Sequence, residues 1–293
     1  MKIKIWLQAL RTFALPASMV SVFLGAALAY RSSLEVNWLL FPIVILGAFL
    51  FHSAMNVFND YYDYKRGVDK KHTLGSSRVL VDNLLSPKEL FTGAWILLIL
   101  ASLLGIYLIY LRGMPMLILI VIGSVGAFLY SGGPFAYKYH ALGEPMVFLL
   151  FGPLLVLGSY LALTGSYDQN VFLISLPVGF LVSAILSGNN FRDIQHDKQA
   201  NIKTIAILLG STGAKLFYAL LVLAAYTSVI ILVVLNMLNI WSLVVLITLP
   251  PAFMNISVVL KDQKEKVAII DMNTAKLHLP FGVLLILSIL FGR

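Results

Sequence analysis

Nine long stretches of apolar residues dominate this sequence and restrict the folds that it can adopt. A helix that crosses a bilayer needs about 20 mostly apolar residues, so each stretch is long enough to be a membrane-spanning helix. The predicted spans are residues 13–30, 38–59, 91–111, 114–131, 143–163, 170–190, 213–235, 239–260 and 275–292. We therefore predict an all-α polytopic membrane protein, a single domain over residues 1–293 with nine transmembrane helices around a central cavity.

The charged residues support this class of fold and predict its orientation. Only 12% of the residues are charged, about half the usual share of roughly 25% in soluble domains. All Lys and Arg residues except Arg31, Arg112 and Arg293 fall in alternate connecting segments, which places the N-terminus in the cytoplasm and the C-terminus outside. The net charge of +8 then reflects cytoplasmic loops, and we expect no nucleic-acid partner. The absence of cysteine excludes disulfides and thiolate metal sites.

The first acidic cluster closes the second predicted span. Asn56, Asp60 and Asp63 are spaced i, i+4 and i+7, which places them on one face of a helix. Asn59 lies beside them, and Asp69 follows six residues after Asp63.

A second acidic cluster closes the sixth predicted span on the same side of the membrane. Asn189, Asp193 and Asp197 are spaced i, i+4 and i+8, again one helical face, with Asn190 and Arg192 between them. One such cluster could be a solvated helix end, but two with shared spacing, side and flanking asparagines indicate a common site.

Carboxylate and amide oxygens are ligands for Mg²⁺, which commonly bridges protein carboxylates to substrate phosphates. Two opposed acidic faces therefore predict a diphosphate bound through magnesium. Cytoplasmic-loop residues Lys71, Arg78 and Lys138 could neutralise the remaining phosphate charge. The five histidines show no metal-ligand spacing, and we interpret them as interfacial polar residues.

At these residues the sequence resembles the UbiA superfamily of intramembrane prenyltransferases. Asn59, Asp60 and Asp63 match its first motif, with the third carboxylate displaced to Asp69, and the resulting NDYxDxxxGxD pattern resembles the MenA branch, the 1,4-dihydroxy-2-naphthoate polyprenyltransferases. Asp193 and Asp197 match the second motif within NNxRDIxxD. The resemblance extends over about residues 8–215, including the segments 11–16, 76–79, 85–87, 130–137 and 142–144.

The resemblance implies Mg²⁺-dependent transfer of a polyprenyl group from its diphosphate to an aromatic acceptor. For the MenA branch the acceptor is 1,4-dihydroxy-2-naphthoate, which loses its carboxyl group as carbon dioxide, in menaquinone biosynthesis at the cell membrane. The expected catalytic residues are Asp60, Asp63, Asp193 and Asp197, and the expected metal ligands are these four with Asp69, Asn56 and Asn189. The expected substrate-binding residues are Asn56, Asn59, Lys71, Arg78, Tyr130, Lys138, Asn189, Asn190, Arg192 and Lys203. The faces of Tyr61, Tyr62, Tyr130 and Tyr137 are candidates for stabilising an allylic cation, although interfacial tyrosines are often simple anchors.

Two departures from the family pattern affect the loop after the second motif. A basic residue is replaced by Leu208, and the usual Gly-Lys reads Asn201-Ile202, followed by Lys203. These changes put a phosphate contact of that loop in question but leave the carboxylates intact.

Two alternatives to the naphthoate acceptor remain open. A UbiA-type enzyme could act on 4-hydroxybenzoate or another lipid precursor, against which the MenA-like motifs argue. A cation-coupled transporter would also hold carboxylates in the membrane, but here they cluster at helix ends on one side, which favours an enzyme site at the level of the lipid headgroups.

Overall fold

A computed structural model describes residues 2–70 and 76–292. Every regular secondary-structure element of the described residues is a helix, and no strand is present among them. Its helices are α1 (Lys2–Ala9), α2 (Pro16–Arg31), α3 (Phe41–Lys65), α4 (Pro87–Arg112), α5 (Met114–Leu129), α6 (Gly143–Leu149), α7 (Leu155–Thr164), α8 (Gln169–Arg192), α9 (Ile194–Gln199), α10 (Ile205–Val234), α11 (Leu249–Leu260), α12 (Lys264–Val267) and α13 (Ile270–Phe291). A π-helical segment, Leu150–Leu154, joins α6 to α7, and short 3-10 segments include Tyr137–Tyr139 and Ile240–Thr248.

The predicted membrane architecture is confirmed. Within the described residues, eight helical segments are long and apolar enough to cross a membrane, and the shorter apolar helix α5 coincides with the fourth predicted span, residues 114–131. Residues 71–75 are outside the described part of the chain, so the predicted site residue Lys71 receives no structural account.

Helix boundaries differ from the predicted spans where polar residues extend a helix beyond the apolar stretch. Helix α4 begins at Pro87 because Ser86 and Glu89 form a capping box. Helix α3 runs on to Lys65, past the predicted end at residue 59. The whole first acidic cluster except Asp69 is therefore carried on the last turns of one helix.

The bundle packs in two parts that meet around a cavity. Helix α8 packs against α10 and α13, and α2 packs against α7 and α13, while α3 packs chiefly against α4. An apolar cavity of about 140 Å³ lies among α3, α4, α5 and the segment from Leu150 to Ser159, with Ser18 of α2 also in its wall. Its lining includes Met55 of α3 and Ala127 of α5, which lie near the ends of those helices that carry the acidic cluster and Tyr130.

Candidate functional site

The carboxylates of the first cluster are buried at the end of α3. Asp60 is 2% exposed and Asp63 is 4% exposed. A buried carboxylate is costly unless it is paired or hydrogen-bonded. Their partners come from elements distant in sequence, and they define the site.

Asp60 is paired with Arg11, which lies just before the first membrane-spanning segment. Arg11 adopts a left-handed conformation, φ 51 and ψ 52, at the break between α1 and the rest of the chain. The second Asp60 oxygen accepts a 3.3 Å hydrogen bond from the Ser77 amide. The pKa of Arg11 is raised: burial acts to lower it, but the neighbouring Asp60 outweighs that effect.

Asp63 is held by the loop between α5 and α6. The Lys138 ammonium donates to Asp63 at 2.5 Å and to the Asn59 amide oxygen at 2.7 Å. The Tyr139 hydroxyl donates to the other Asp63 oxygen at 2.6 Å. These charge-assisted contacts fix Lys138 at the centre of the first cluster, and the pKa of Lys138 is raised because Asp63 outweighs the lowering effect of burial.

Tyr130 and Asp69 complete this side of the site. The Lys138 ammonium lies 5.8 Å from the centre of the Tyr130 ring, and Tyr130 packs edge-on against Tyr137. Burial, with the charges of Asp63 and Asp60, raises the pKa of Asp69 to about 7. The Asp69 amide donates to the Asp63 carbonyl at 3.4 Å, which places Asp69 beside the end of α3.

The second cluster keeps its helical spacing although the helix breaks within it. Helix α8 ends at Arg192 and α9 begins at Ile194. The amides of Asp193 and Asp197 nevertheless bond to carbonyls four residues earlier, at 3.1 and 2.9 Å. Asn189, Asp193 and Asp197 therefore keep the four-residue helical spacing that was predicted for them.

Arg192 organises the second cluster. Its guanidinium donates to both Asp193 oxygens, at 2.9 and 2.7 Å, and to the Asn189 side chain. It also pairs at 2.8 Å with Asp271 at the start of α13. In this structure Arg192 thus orients Asp193 rather than standing free for a substrate phosphate.

The two clusters converge at Lys138. Burial and the neighbouring Asp193 and Asp63 raise the pKa of Asp197 to about 7, although Lys138 acts to lower it. Carboxylates from both motifs and one lysine therefore interact electrostatically. The main chain joins the same regions: the Ala141 amide donates to the Lys203 carbonyl at 2.7 Å, and the Lys203 amide donates to the Tyr139 carbonyl at 3.2 Å.

The carboxylate and amide oxygens of the two clusters are suitable ligands for a divalent cation, although several of the carboxylates are paired with basic side chains in this structure. Three of the five motif carboxylates, Asp60, Asp63 and Asp193, pair with Arg11, Lys138 and Arg192 respectively. Over residues 2–70 and 76–292, no three Asp, Glu or His side chains are gathered around one point. Burial, and after it the neighbouring carboxylates, raise the pKa values of Asp69 and Asp197, and a hard cation bound to these oxygens would offset both effects.

Several predicted site residues have other contacts in this structure. Asn56 donates to the Leu10 carbonyl at 3.3 Å. The Arg78 guanidinium forms a bidentate pair with Asp82, at 2.9 and 3.1 Å, on the surface. The Lys203 side chain is exposed, and its described link to the site is through the main chain.

The four candidate tyrosines have different surroundings, and only one of them lies beside Lys138. Tyr130 lies beside Lys138, whereas the Tyr137 hydroxyl donates to the Gly126 carbonyl at 2.7 Å. Tyr61 and Tyr62 pack instead against Phe91 of α4 in an aromatic cluster. That cluster joins α3 to α4, so these two tyrosines have a packing role.

Four polar residues of the site were missed by sequence reasoning: Arg11, Tyr139, Glu144 and Asp271. The Asn190 amide donates at 2.9 Å to Glu144, which is 1% exposed and whose other oxygen has no partner among the described atoms. Glu144 and Arg11 lie in segments that resemble the family, and this resemblance could have identified them as site residues. Tyr139 and Asp271 carried no spacing signal.

The interpretation of the histidines as interfacial was wrong for His52 and His278, which are both buried. His52 lines the apolar cavity, and its Nδ1 lies 2.8 Å from the Ser18 hydroxyl. His52 shares the α3 face of Asn56 and Asp60, one and two turns away, a periodicity that could have drawn attention to it.

The departures from the family pattern have a structural account. Asn201 adopts φ 55, a left-handed conformation that glycine enters freely and asparagine tolerates. Ile202 is buried against Ala136 and Tyr139. Leu208 is exposed, so having leucine in place of a basic residue at this position costs the loop no buried contact.

The sequence and the fold both match known proteins. A sequence model of the UbiA prenyltransferase family matches residues 18–278. The UbiA prenyltransferase domain-containing protein 1 homolog of Drosophila melanogaster is 36% identical, over 98% of this chain and 80% of its own length. The 1,4-dihydroxy-2-naphthoate octaprenyltransferase of Bacillus subtilis is 32% identical, over 97% of this chain and 92% of its own length.

Solved structures show the same fold at low sequence identity. A UbiA homolog from Aeropyrum pernix superposes with a TM-score of 0.71 at 17% identity, covering 94% of this chain and 95% of its own. A UbiA homolog from Archaeoglobus fulgidus, bound to GPP and Mg²⁺, superposes with a TM-score of 0.63 at 13% identity, covering 96% and 99%.

Proposed function

This chain belongs to the UbiA prenyltransferase family, and on that premise we propose that it transfers a polyprenyl group from polyprenyl diphosphate to 1,4-dihydroxy-2-naphthoate, in menaquinone biosynthesis. The observation that carries the donor half of the proposal is that Lys138 bonds to Asp63 of the first cluster and acts electrostatically on Asp197 of the second. Lys138 also bonds to Asn59, one helical turn from Met55 in the wall of the apolar cavity. A diphosphate with a long hydrocarbon chain requires this combination of a charged site and an apolar space.

We propose that Asp60, Asp63, Asp69, Asp193 and Asp197 hold Mg²⁺, with Asn56 and Asn189 in support, as their chemistry and excess charge allow. A solved family member is bound to GPP and Mg²⁺. Magnesium would supply Lewis-acid neutralisation of the charge that develops on the departing diphosphate.

The chain's own residues would prepare the donor for that departure. Lys138, held by Asn59 and Asp63, places a fixed ammonium beside the carboxylates, where it can bind a phosphate oxygen. The adjoining Tyr130 ring can stabilise allylic cation character through its face. The surrounding apolar helices exclude water, which would otherwise capture the cation.

Prenylation of the naphthoate acceptor requires no catalytic base. The bond between the first prenyl carbon and the diphosphate oxygen breaks, and the diphosphate leaves with the electron pair. The ring carbon that bears the carboxylate forms the new bond, and carbon dioxide leaves, returning its electron pair to the ring. No proton has to be removed, whereas prenylation of 4-hydroxybenzoate beside its hydroxyl requires a base.

Support for this acceptor comes from the Bacillus subtilis relative and the MenA-like motifs. The animal relatives are named only for their UbiA prenyltransferase domain, so another aromatic or lipid acceptor is the alternative. The family to which the chain belongs is described as a prenyltransferase family, which argues against the transporter hypothesis. We place the enzyme, as one domain over residues 1–293, in the plasma membrane with its N-terminus and motif loops cytoplasmic and its C-terminus external.

The proposal is tested by turnover in proteoliposomes. Purified protein, Mg²⁺ and a polyprenyl diphosphate would be incubated in parallel with 1,4-dihydroxy-2-naphthoate and with 4-hydroxybenzoate, and the products identified by mass spectrometry. We expect a decarboxylated prenyl naphthoquinol that disappears when EDTA is added. Product from 4-hydroxybenzoate alone would overturn the acceptor assignment while retaining the donor site.

A further inference from the structure

Four glycines line the apolar cavity, and for three of them no close neighbour explains why they are glycine. Gly47, Gly123 and Gly158 lie within α3, α5 and α7, and all three line the cavity. A Cβ atom added to any of them would meet no atom within 4 Å. Glycine within a helix is less favourable than alanine, so these positions give up helix stability without a packing requirement.

Other glycines of the bundle are required by packing, because a side chain there would collide with a neighbouring helix. A Cβ on Gly93 would lie 2.3 Å from Trp6, on Gly282 2.2 Å from Val20, and on Gly152 2.7 Å from Gly179. Small residues at those positions let neighbouring helices approach closely. Gly47, Gly123 and Gly158 have no such neighbour, and what they preserve is the volume of the cavity.

The cavity extends along α3 from Met55, which is one helical turn from Asn59 of the proposed diphosphate site, back to Ile43. Met55 and Ala127 line it and pack in one cluster with Tyr130, whose ring faces Lys138. On the same helix as Met55, Asn59 is one turn nearer to the cytoplasmic end. A donor whose diphosphate meets the carboxylates would therefore extend its chain past Met55 into this space.

We propose that Gly47, Gly123 and Gly158 are specificity-determining residues, which keep the path of the donor's isoprenoid chain open and set the longest chain that the enzyme accepts. The inference rests on the proposed function, because it takes the occupant to be the hydrocarbon chain of the prenyl diphosphate.

The three positions lie at different depths. Gly123 is seven residues before Tyr130, about 10 Å along a helix, whereas Gly47 is thirteen residues before Asp60, about 20 Å. Gly158 is fifteen residues beyond Gly143, which lies against Lys138, again about 20 Å. A bulky residue at Gly123 should therefore stop shorter chains than one at Gly47 or Gly158.

The test measures kcat/KM for geranyl, farnesyl, geranylgeranyl and longer polyprenyl diphosphates with Gly47→Phe, Gly123→Phe and Gly158→Phe. We expect activity with geranyl diphosphate to stay within about 3-fold of the wild type and activity with the longest donors to fall by at least about 10-fold, roughly 1.4 kcal/mol or more of transition-state stabilisation. The cut-off should come at a shorter chain for Gly123→Phe. Leu103→Phe, which adds the same ring on the exposed side of α4, should leave the chain-length profile unchanged.

The corresponding alanine variants guard against misfolding. Because the added methyl groups meet open space and helix propensity improves, their Tm should equal or exceed that of the wild type. An unchanged profile in the phenylalanine variants, or an equal loss for short and long donors in variants with wild-type Tm, would overturn the proposal. If the wild type prenylates neither acceptor, the proposed function fails instead, a result that no glycine variant can produce.

Discussion

The ammonium of Lys138 lies 2.5 Å from the carboxylate of Asp63, although the two residues belong to different elements and are 75 positions apart. The same ammonium bonds to Asn59, and its charge also reaches Asp197 of the second motif. One side chain therefore connects both halves of the proposed diphosphate site.

Replacing Lys138 by Met should lower kcat/KM for the prenyl diphosphate. Losing a hydrogen bond to a charged group costs about 1.5–3 kcal/mol, which corresponds to about 10- to 100-fold in rate constant. The Tm should also fall, because Asp63 is left buried without its cation. Lys264→Met, at an exposed lysine of α12 outside the proposed site, is the matched control, and an equal loss there would contradict a specific role for Lys138.

Asp60→Asn and Asp193→Asn should each reduce turnover by about 100-fold or more, since each removes a proposed ligand of a catalytic metal. Asparagine keeps the size of the side chain and one acceptor oxygen, so the protein should still insert in the membrane and elute as one species. Turnover by mass spectrometry and elution from a sizing column provide the two measurements. Asp82→Asn, outside the clusters, should retain activity, whereas full activity of both motif variants would refute the metal site.

Glu144 and Asn190 should be energetically coupled. Their buried hydrogen bond joins α6 to α8 beside the second motif, and breaking it from either side leaves a buried polar group without its partner. Glu144→Ala and Asn190→Ala should each lower the free energy of unfolding by about 1–3 kcal/mol, and the double variant by clearly less than their sum. Thermal unfolding of the four proteins measures the coupling, and strict additivity would show that the bond contributes nothing.

In the metal-free protein, Asp69 and Asp197 should contribute a loss of stability as pH rises toward neutrality. Their folded-state pKa values are raised to about 7, so these two carboxyl groups bind more protons in the folded protein than in the unfolded chain. Stability then falls between the ordinary carboxylate pKa of about 4 and about 7, and levels off above.

Mg²⁺ should reverse this loss, and its stabilising effect should grow with pH, because the metal requires ionised carboxylates. Differential scanning fluorimetry in EDTA and in Mg²⁺, between pH 5 and pH 8, provides the measurement. An Asp69→Asn, Asp197→Asn double variant whose metal-free Tm depends on pH as that of the wild type does would contradict the role of these two carboxyl groups.

Much of the architecture could be predicted because the membrane restricts it so strongly. Each apolar stretch long enough to span became a helix, and the i, i+4 spacing of Asn56 and Asp60 was enough to place them on one face of α3. Helix ends were harder to predict, because capping at Ser86 and the polar extension of α3 to Lys65 lie outside the apolar pattern.

The partners of the carboxylates could not be predicted in the same way. Arg11, Tyr139 and Asp271 reach the site from distant segments, and periodicity carries no information about which helices become neighbours. Arg78 shows the converse: its charge and loop position favoured a phosphate contact, while its guanidinium pairs with Asp82, four residues along. Its role in binding the donor remains a prediction.

The loops that follow Tyr130 and Asp197 are joined through the peptide groups of Tyr139, Ala141 and Lys203. These hydrogen bonds involve only peptide groups, so they depend on the backbone conformation of each residue and not on its side chain. Exposed positions of the loop can therefore change in sequence without shifting the two motifs relative to each other, and Asn201, with its φ of 55, is an example.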